Sequence, residues 1–198
     1  AALNDNGSGS ATILEIALQM KRLGIQPVNK ARFIWFAAEE NGLLGSEYYV
    51  STLSTRDIKN IAVNLNIDMI GRRDSAHQAS APYVHVIGSD RLSSDLHRIN
   101  EEANATYVGL DLDYTFNGAN DPNRFYYRSD HYNFARYGVP VIFYFSGVHA
   151  DYHQPTDEVD RIRFDLLEQR ARLVFATAWE LANRSDRIVV DKPVEKGE

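Results

Sequence analysis

Short apolar segments alternate with amphipathic helical segments along most of this 198-residue chain. Residues 164–182 place leucine, alanine and valine at the spacing of one buried helix face. Residues 61–70 instead alternate apolar and polar side chains, which is the pattern of a β-strand. Strands that alternate with helices are typical of α/β proteins with a largely parallel sheet. The predicted fold is therefore a three-layer α/β sandwich, in which helices flank a mostly parallel mixed central sheet.

The same patterns predict the approximate bounds of each element. Residues 32–38 (RFIWFAA) are apolar and rich in aromatic residues after Arg32, as expected for a strand that is covered on both faces. One domain is predicted at residues 1–184, followed by a polar, frayed tail at residues 185–198. Helices are predicted at residues 8–23, 43–53, 91–105, 130–137 and 164–182, and strands at residues 32–38, 61–70, 83–87 and 139–145, with a weak strand that runs into a loop within residues 107–123.

Composition excludes several classes of function. The chain has no cysteine, so a metal ion would have to be held by carboxylates and imidazoles. The net charge is −6 and the basic residues never cluster into a stripe, which argues against nucleic acid as a partner. No run of eighteen or more apolar residues occurs, so no membrane span is predicted.

Acidic residues and one histidine follow the predicted strands at the points where those strands end. Glu39 and Glu40 come directly after the first strand, and Asp68 lies near the end of the second. His153 lies in the loop after the last strand, and Asp5 immediately precedes the first helix. In open α/β sheets, ligands bind outside the carboxyl ends of the strands. Four separate segments are therefore predicted to bring these polar groups to one edge of the sheet.

Each of these residues also has an ordinary structural explanation. An aspartate before a helix, such as Asp5, usually caps the helix or stabilises its dipole. The Glu39–Glu40 pair could be a solvated strand end, although adjacent carboxylates repel each other unless a cation neutralises them. Asp68 could be a buried, hydrogen-bonded aspartate, and His153 a solvated loop histidine. Their convergence on one edge favours a metal site over these separate explanations.

Six motifs, spread over nearly the whole chain, resemble peptidase family M28, a family of zinc aminopeptidases. Their order along the chain is the order in that family, and the AAEENGLLGS block is the most specific of them. The motifs are NDNGSG at residues 4–9, FAAEENGLLGS at residues 36–46, NIDMIG at residues 66–71, SDH at residues 129–131, GVP at residues 138–140 and YHQPTD at residues 152–157.

The resemblance implies a site with two zinc ions that act together. Asp5 matches the carboxylate that bridges the two ions in the family. Glu40 and His153 match the remaining ligands of one zinc, and Asp68 matches a ligand of the other. Residues 1–184 would then be the catalytic domain of a zinc peptidase.

The resemblance also implies roles for three residues around the metal. Glu39 matches the general base that takes a proton from the bridging water. Tyr152 matches a phenol that hydrogen-bonds the oxyanion of the tetrahedral intermediate. Asp130 lies behind the metal ligands in the family.

The chain departs from the family pattern at one ligand. The first zinc-binding histidine of the family lies in a His-x-Asp motif just upstream of the Asp-Asn-Gly-Ser-Gly turn, and Asp5 is only the fifth residue here. We therefore expect a chain truncated at its N-terminus, without the strand that carries this histidine. The zinc between Asp5 and Asp68 is expected to bind weakly or to be absent. An unpaired sheet edge would then favour oligomerisation.

The sequence favours removal of N-terminal amino acids from a peptide or peptide-like substrate. Three alternatives remain open at this point: a zinc carboxypeptidase of the same fold, a glutaminyl cyclase of the same fold, and a non-catalytic binding domain. Members of the family are often secreted, so a periplasmic or extracellular location is expected.

Overall fold

The structure, a computed structural model, describes residues 3–194. The chain begins with a tight turn at Leu3–Ser8 and then alternates between helices and strands. The helices are α1 (Gly9–Leu23), α2 (Leu44–Ser51), α3 (Thr55–Asn60), α4 (Ser94–Tyr107), α5 (Tyr132–Ala135) and α6 (Phe164–Ala182). The strands are β1 (Asn64–Ile67), β2 (Tyr83–Ile87), β3 (Asp111–Asp113) and β4 (Val141–Phe145).

The four strands form one mixed sheet in the order β1-β4-β2-β3. β1 pairs with β4 in parallel, and β2 pairs with β3 in parallel. The central pair of β2 and β4 is antiparallel. Because β1 and β4 run in the same direction, the segments that follow them leave the sheet at the same edge. This parallel pair is therefore the part of the sheet that positions the candidate site.

Helices cover both faces of the sheet, as the sequence predicted. On β4, Val141, Phe143 and Phe145 pack into one core, together with side chains from α2 and α5. The alternate residues Ile142 and Tyr144 pack into a second core beneath α1, α4 and α6. This period of two follows from the pleat of a strand. Fully burying a large apolar side chain contributes about 1.5–3 kcal/mol, so the two cores stabilise the three layers together.

Several helix ends follow from local sequence signals. α1 ends at Gly24, which has a φ of 65° and whose backbone N–H bonds to carbonyls of the last turn. α4 begins after Ser93, whose hydroxyl accepts a hydrogen bond from the backbone N–H of Leu96. The predicted bounds of α6 and β2 are those observed, and those of α1, α2, α4, α5, β1 and β4 differ by a few residues. β3 is a short part of the weak strand predicted within residues 107–123, and α3 was not predicted.

The prediction of a strand at residues 32–38 is wrong for this structure, in which this segment pairs with no strand. Extended backbone forms a strand only when a neighbouring strand accepts and donates its hydrogen bonds. β1 lies at the edge of the sheet, but residues 30–36 and β1 both line a cavity of about 1370 Å³ instead of pairing. Phe33 and Trp35 consequently remain 37% and 48% exposed.

The end of the described chain is more ordered than a frayed tail. The Ser93 hydroxyl donates to the carbonyl of Val189, and the Ser94 N–H donates to the Asp191 carboxylate. Ile188 is buried in the core beneath α4 and α6. The frayed-tail prediction is therefore wrong for residues 188–191, and residues 195–198 lie outside the described residues. The division into a domain at residues 1–184 and a tail stays a prediction.

Helices long and apolar enough to cross a membrane are absent from residues 3–194.

Candidate metal centre

The parallel pair β1 and β4 delivers two candidate site residues to the same edge of the sheet. Asp68 directly follows β1, and its backbone N–H donates to the carbonyl of Tyr144. The loop after β4 starts at Ser146, whose N–H donates to the carbonyl of Met69, and it carries His153. These bonds continue the ladder beyond both strands and hold the loop beside Asp68.

A network of buried polar side chains fixes the turn that carries Asp5. The backbone N–H groups of Asn4 and Asp5 donate to the carboxylate of Asp157 at 2.8 and 3.2 Å. Asn6 donates from its side chain to the carbonyl of Ile67, at the end of β1. Arg72 donates to the other Asp157 oxygen at 3.2 Å. The turn is thus tied both to β1 and to the loop that carries His153.

Asp5, Glu40 and His153 come together at this edge. The Nε2 atom of His153 lies 3.2 Å from Asp5 Oδ2 and 3.3 Å from Glu40 Oε2. One ligand atom from each of the three residues lies within 4.8 Å of the others. Ligand atoms held about 2.0 Å from a tetrahedral zinc ion are about 3.3 Å apart. The three residues therefore have the spacing of one coordination sphere.

Asp68 lies near this group but is not part of the same 4.8 Å set. Its Oδ2 accepts a hydrogen bond from the Ser129 hydroxyl at 2.7 Å, and its side chain is almost fully buried. Asp68, Asp130 and Glu39 line the same cavity as Asp5 and Glu40. We call Asp5, Glu39, Glu40, Asp68 and His153 the Asp5 cluster.

The carboxyl groups of the Asp5 cluster raise the pKa values of one another. Burial raises the pKa of Glu39 to about 8, and the charges of Asp68 and Glu40 contribute. Burial raises the pKa of Asp68 to about 7, although the hydrogen bond from Ser129 lowers it. Burial and the charge of Glu40 raise the pKa of Asp5 to about 6, while His153 lowers it. The cluster therefore has four carboxyl groups and only one histidine to balance their negative charge.

Unpaired oxygen atoms show that the cluster fits a cation. Asp5 Oδ2, Asp68 Oδ1 and Asp130 Oδ1 are buried and have no hydrogen-bond partner among the described residues. A buried carboxylate without a partner is costly, whereas a divalent cation supplies the missing charge and accepts these oxygens as ligands. The donor set of carboxylate oxygens and one imidazole suits zinc.

Left-handed backbone conformations mark the same region. Ala38, Met69 and His153 have φ values of 58°, 55° and 57°, in a region that non-glycine residues seldom occupy. Ala38 precedes Glu39, Met69 follows Asp68, and His153 is itself a candidate ligand. Such strained residues cluster at functional sites, where the surrounding structure holds them in place.

Tyr152 and Asp130 lie around the cluster. The ring of Tyr152 stacks on that of His153 with 3.8 Å between centroids, and Arg128 donates to the Tyr152 hydroxyl at 3.3 Å. Burial raises the pKa of Tyr152, so its hydroxyl keeps its proton at neutral pH. Burial also raises the pKa of Asp130, while a hydrogen bond to Ser46 lowers it. Their roles stay predictions.

Sequence reasoning gave no role to three residues that support the site. Ser129 bonds Asp68, Asp157 holds the turn at Asp5, and Arg72 bonds Asp157 together with Asp151. Ser129 and Asp157 belong to the SDH and YHQPTD motifs, so those motifs were the available signal. Nothing in the sequence pattern distinguishes Arg72 from the other scattered arginines.

Comparison with known proteins adds a family match. The model of Peptidase family M28 matches residues 2–178. Leupeptin-inactivating enzyme 1 of Streptomyces exfoliatus is 39% identical over 152 residues, which cover 77% of this chain and 30% of that protein. Aminopeptidase YwaD of Bacillus subtilis is 34% identical over 191 residues, which cover 93% of this chain and 38% of that protein.

Solved structures agree with the fold. A zinc aminopeptidase from Bacillus subtilis superposes with a TM-score of 0.76 at 31% identity, over 97% of this chain and 45% of that one. The chain thus spans less than half the length of the relatives with which it is compared here.

Proposed function

We propose that this chain, which belongs to peptidase family M28, takes part in the zinc-dependent removal of N-terminal amino acids from peptides. The observation that carries the proposal is the convergence of Asp5, Glu40 and His153 within coordination distance of one another, with Glu39 beside them. Each residue comes from a different segment of the chain. A chance solvated surface would not leave buried carboxylate oxygens without partners.

The residues present provide one complete set of protein ligands and part of a second. Asp5, Glu40 and His153 would hold one zinc ion, with water in the fourth position, which is the usual pattern of catalytic zinc. Asp5 and Asp68 would hold a second ion with no histidine ligand from the described residues. We propose that the first site binds zinc more tightly than the second.

Glu39 would act as the general base. Zinc, when bound, lowers the pKa of a bound water to near neutrality and polarises the scissile carbonyl. Glu39 adjoins Glu40 and lines the same cavity as the proposed ligands, where its carboxylate would accept a proton from that water and pass it to the leaving amine. The pKa of about 8 reflects burial first and neighbouring negative charge second, and a bound cation would neutralise the second contribution.

Two further interactions would orient the substrate. The hydroxyl of Tyr152, next to His153, donates to the oxyanion that develops on the scissile carbonyl. The positively charged N-terminal amine of a peptide is attracted to the uncompensated carboxylates of the Asp5 cluster. This attraction favours an aminopeptidase over a carboxypeptidase, whose substrate presents a carboxylate to the site.

Release of a chromophore from an aminoacyl substrate tests the proposal. We expect turnover that stops with a chelator and returns with added zinc, and none on the same substrate with an acetylated amine. Turnover that survives chelation would contradict the metal mechanism. Cleavage only from the carboxyl end, or cyclisation of an N-terminal glutamine, would show instead one of the two related enzyme activities. Zinc binding without turnover of any of these substrates would indicate a binding domain.

Two wider expectations also stay proposals. A periplasmic or extracellular location rests on the family resemblance alone, and fractionation of the source cells tests it. Self-association would use the free edge of β1, which has no partner strand among residues 3–194. Sedimentation over a range of concentrations tests it, and a monomer at every concentration would contradict it.

A further inference from the structure

A second group of histidines and aspartates lies near the edge of the sheet opposite to β1. Asp74 and His77 belong to the loop after β1, His85 lies in β2, and Asp113 ends the edge strand β3. His85 and Asp113 are direct neighbours in the parallel register. Ligand atoms of Asp74, His77 and His85 lie within 4.8 Å of one another. We call these four residues the Asp74 cluster, and none of them belongs to the proposed peptidase site.

Asp74 forms a hydrogen bond with both imidazole rings. His77 Nδ1 lies 2.7 Å from Asp74 Oδ1, and His85 Nε2 lies 2.8 Å from Asp74 Oδ2. A carboxylate accepts hydrogen bonds, so each of these two nitrogens carries a hydrogen. In a neutral imidazole the other nitrogen then carries a lone pair. Asp74 thereby determines which nitrogen of each ring is free to bind something else.

The two remaining nitrogens face Asp113. His77 Nε2 lies 3.1 Å from Asp113 Oδ2, and His85 Nδ1 lies 3.2 Å from Asp113 Oδ1. His85 is 1% exposed, and its Nδ1 atom forms no hydrogen bond of acceptable geometry. Lone pairs that face a carboxylate at this distance repel it unless a positive charge lies between them.

The composition of the cluster leads to the same requirement. It brings two carboxylate groups against two imidazole rings, so neutral rings leave both negative charges unbalanced. The buried cation Arg170 directs its hydrogen bonds to the carbonyls of Tyr83, Ile70 and Arg72.

We propose that the Asp74 cluster binds one divalent transition-metal ion through His77 Nε2, His85 Nδ1 and the carboxylate of Asp113. His77 Nε2 and His85 Nδ1 each face a different oxygen of the Asp113 carboxylate, at 3.1 and 3.2 Å, and each separation is close to the distance of about 3.3 Å between neighbouring ligands of a tetrahedral zinc ion. Asp74 fixes the two rings from behind, an arrangement that orients ligand histidines in metal sites generally. His77 and Asp113 are partly exposed, which gives the ion and a water ligand a route to the site.

The bound ion would join three segments of the chain. It would hold the loop that carries Asp74 and His77 against β2 and the edge strand β3. Gly147, whose φ is 86°, lies so close to Asp74 that a Cβ atom there would overlap the carboxylate. The same loop therefore also contacts the segment after β4, which leads to His153. The inferred role is structural, and an imidazole–carboxylate donor set favours zinc over calcium or magnesium.

Zinc stoichiometry tests the proposal without any measurement of activity. The protein is dialysed against buffered zinc and assayed by mass spectrometry, in a His153→Ala background that weakens the proposed peptidase site. We expect His77→Ala, and separately Asp113→Asn, to lower bound zinc by about one ion per chain. His97→Ala is the matched control, because this partly exposed histidine lies on α4 outside the cluster. Unchanged zinc content in both cluster variants would overturn the proposal.

A spectroscopic measurement covers the case in which a variant is poorly folded. Cobalt added to the His153→Ala protein should give visible absorption bands of tetrahedral intensity, which the His77→Ala substitution removes. Asp74→Asn should weaken cobalt binding by about 10- to 100-fold, because it disturbs the hydrogen bonds that orient His77 and His85 but keeps both ligands. Calcium should not compete. Absence of cobalt bands in the folded protein at pH 7.5 would show that protons balance the charge, and would overturn the proposal.

Discussion

The Asp5 cluster and the Asp74 cluster both combine carboxyl groups with imidazoles but differ in how their charges are matched. In the Asp5 cluster one histidine lies among four carboxyl groups, and burial and mutual repulsion raise the pKa values of Asp5, Glu39 and Asp68. In the Asp74 cluster two histidines contact two aspartates, and both aspartate pKa values are lowered. A metal would supply most of the positive charge at the Asp5 cluster. At the Asp74 cluster it would bind between side chains that hydrogen bonds already hold in place.

The largest effect is expected from removal of the proposed base in the Asp5 cluster. Glu39→Gln keeps the shape of the side chain but cannot accept a proton, so kcat should fall by about 1000-fold. Zinc content should stay unchanged, because Glu39 is not a proposed ligand. Glu15→Gln on α1 is the control, since Glu15 is exposed and has no proposed role in the site. A Glu39→Gln protein with near-normal kcat would remove the functional distinction between the two clusters.

A smaller loss is expected when the proposed oxyanion donor is removed. Tyr152→Phe keeps the ring that stacks on His153 but removes the hydroxyl, so kcat should fall on the order of 100-fold with little change in KM. Steady-state kinetics with an aminoacyl chromophore measure both parameters. Tyr137→Phe at an exposed position is the matched control. A rise in KM alone would assign Tyr152 to substrate binding instead.

Arg72 lies between the two clusters. It is two residues before Asp74 in the chain, and its side chain bonds Asp157 and Asp151 near the Asp5 cluster. Arg72→Ala removes the arginine that pairs with buried Asp157 and leaves Asp151 with Arg161 alone, so it should lower the free energy of unfolding by about 3 kcal/mol. Arg163→Ala removes an exposed pair with Asp165 and should cost about 1 kcal/mol or less. Urea unfolding measures both. Equal losses would show that burial of the Arg72 pairs does not matter.

The pH dependence of stability should separate the clusters in the metal-free protein. Carboxyl groups with raised pKa stabilise the folded state when protonated, so the Asp5 cluster should lose stability as pH rises from about 4 to 8. Carboxyl groups with lowered pKa do the opposite, so the Asp74 cluster should lose stability as pH falls below about 4. Asp68→Asn should flatten the first slope only. Thermal unfolding across this range checks both signs, and a slope unchanged by Asp68→Asn would contradict the assignment.

The sequence predicted the layers and the Asp5 cluster because both depend on local pattern. Alternation indicated β1, an apolar run indicated β4, helical spacing indicated α6, and acidic residues at strand ends indicated the edge where ligands would gather. The strand at residues 32–38 failed because pairing depends on a partner, which no local pattern encodes. The Asp74 cluster was missed for a similar reason, since the register of β2 and β3 brings His85 beside Asp113, and the loop after β1 brings His77 to them.

The cavity beside β1 has a consequence for the design of experiments. It extends from the free edge of β1 to the carboxylates of the Asp5 cluster, so whatever fills it also forms one wall of the proposed site. An added peptide of strand-forming sequence that docks there would change the environment of Glu39 and Asp68 directly. A change in turnover on addition of such a peptide could then report binding at this edge.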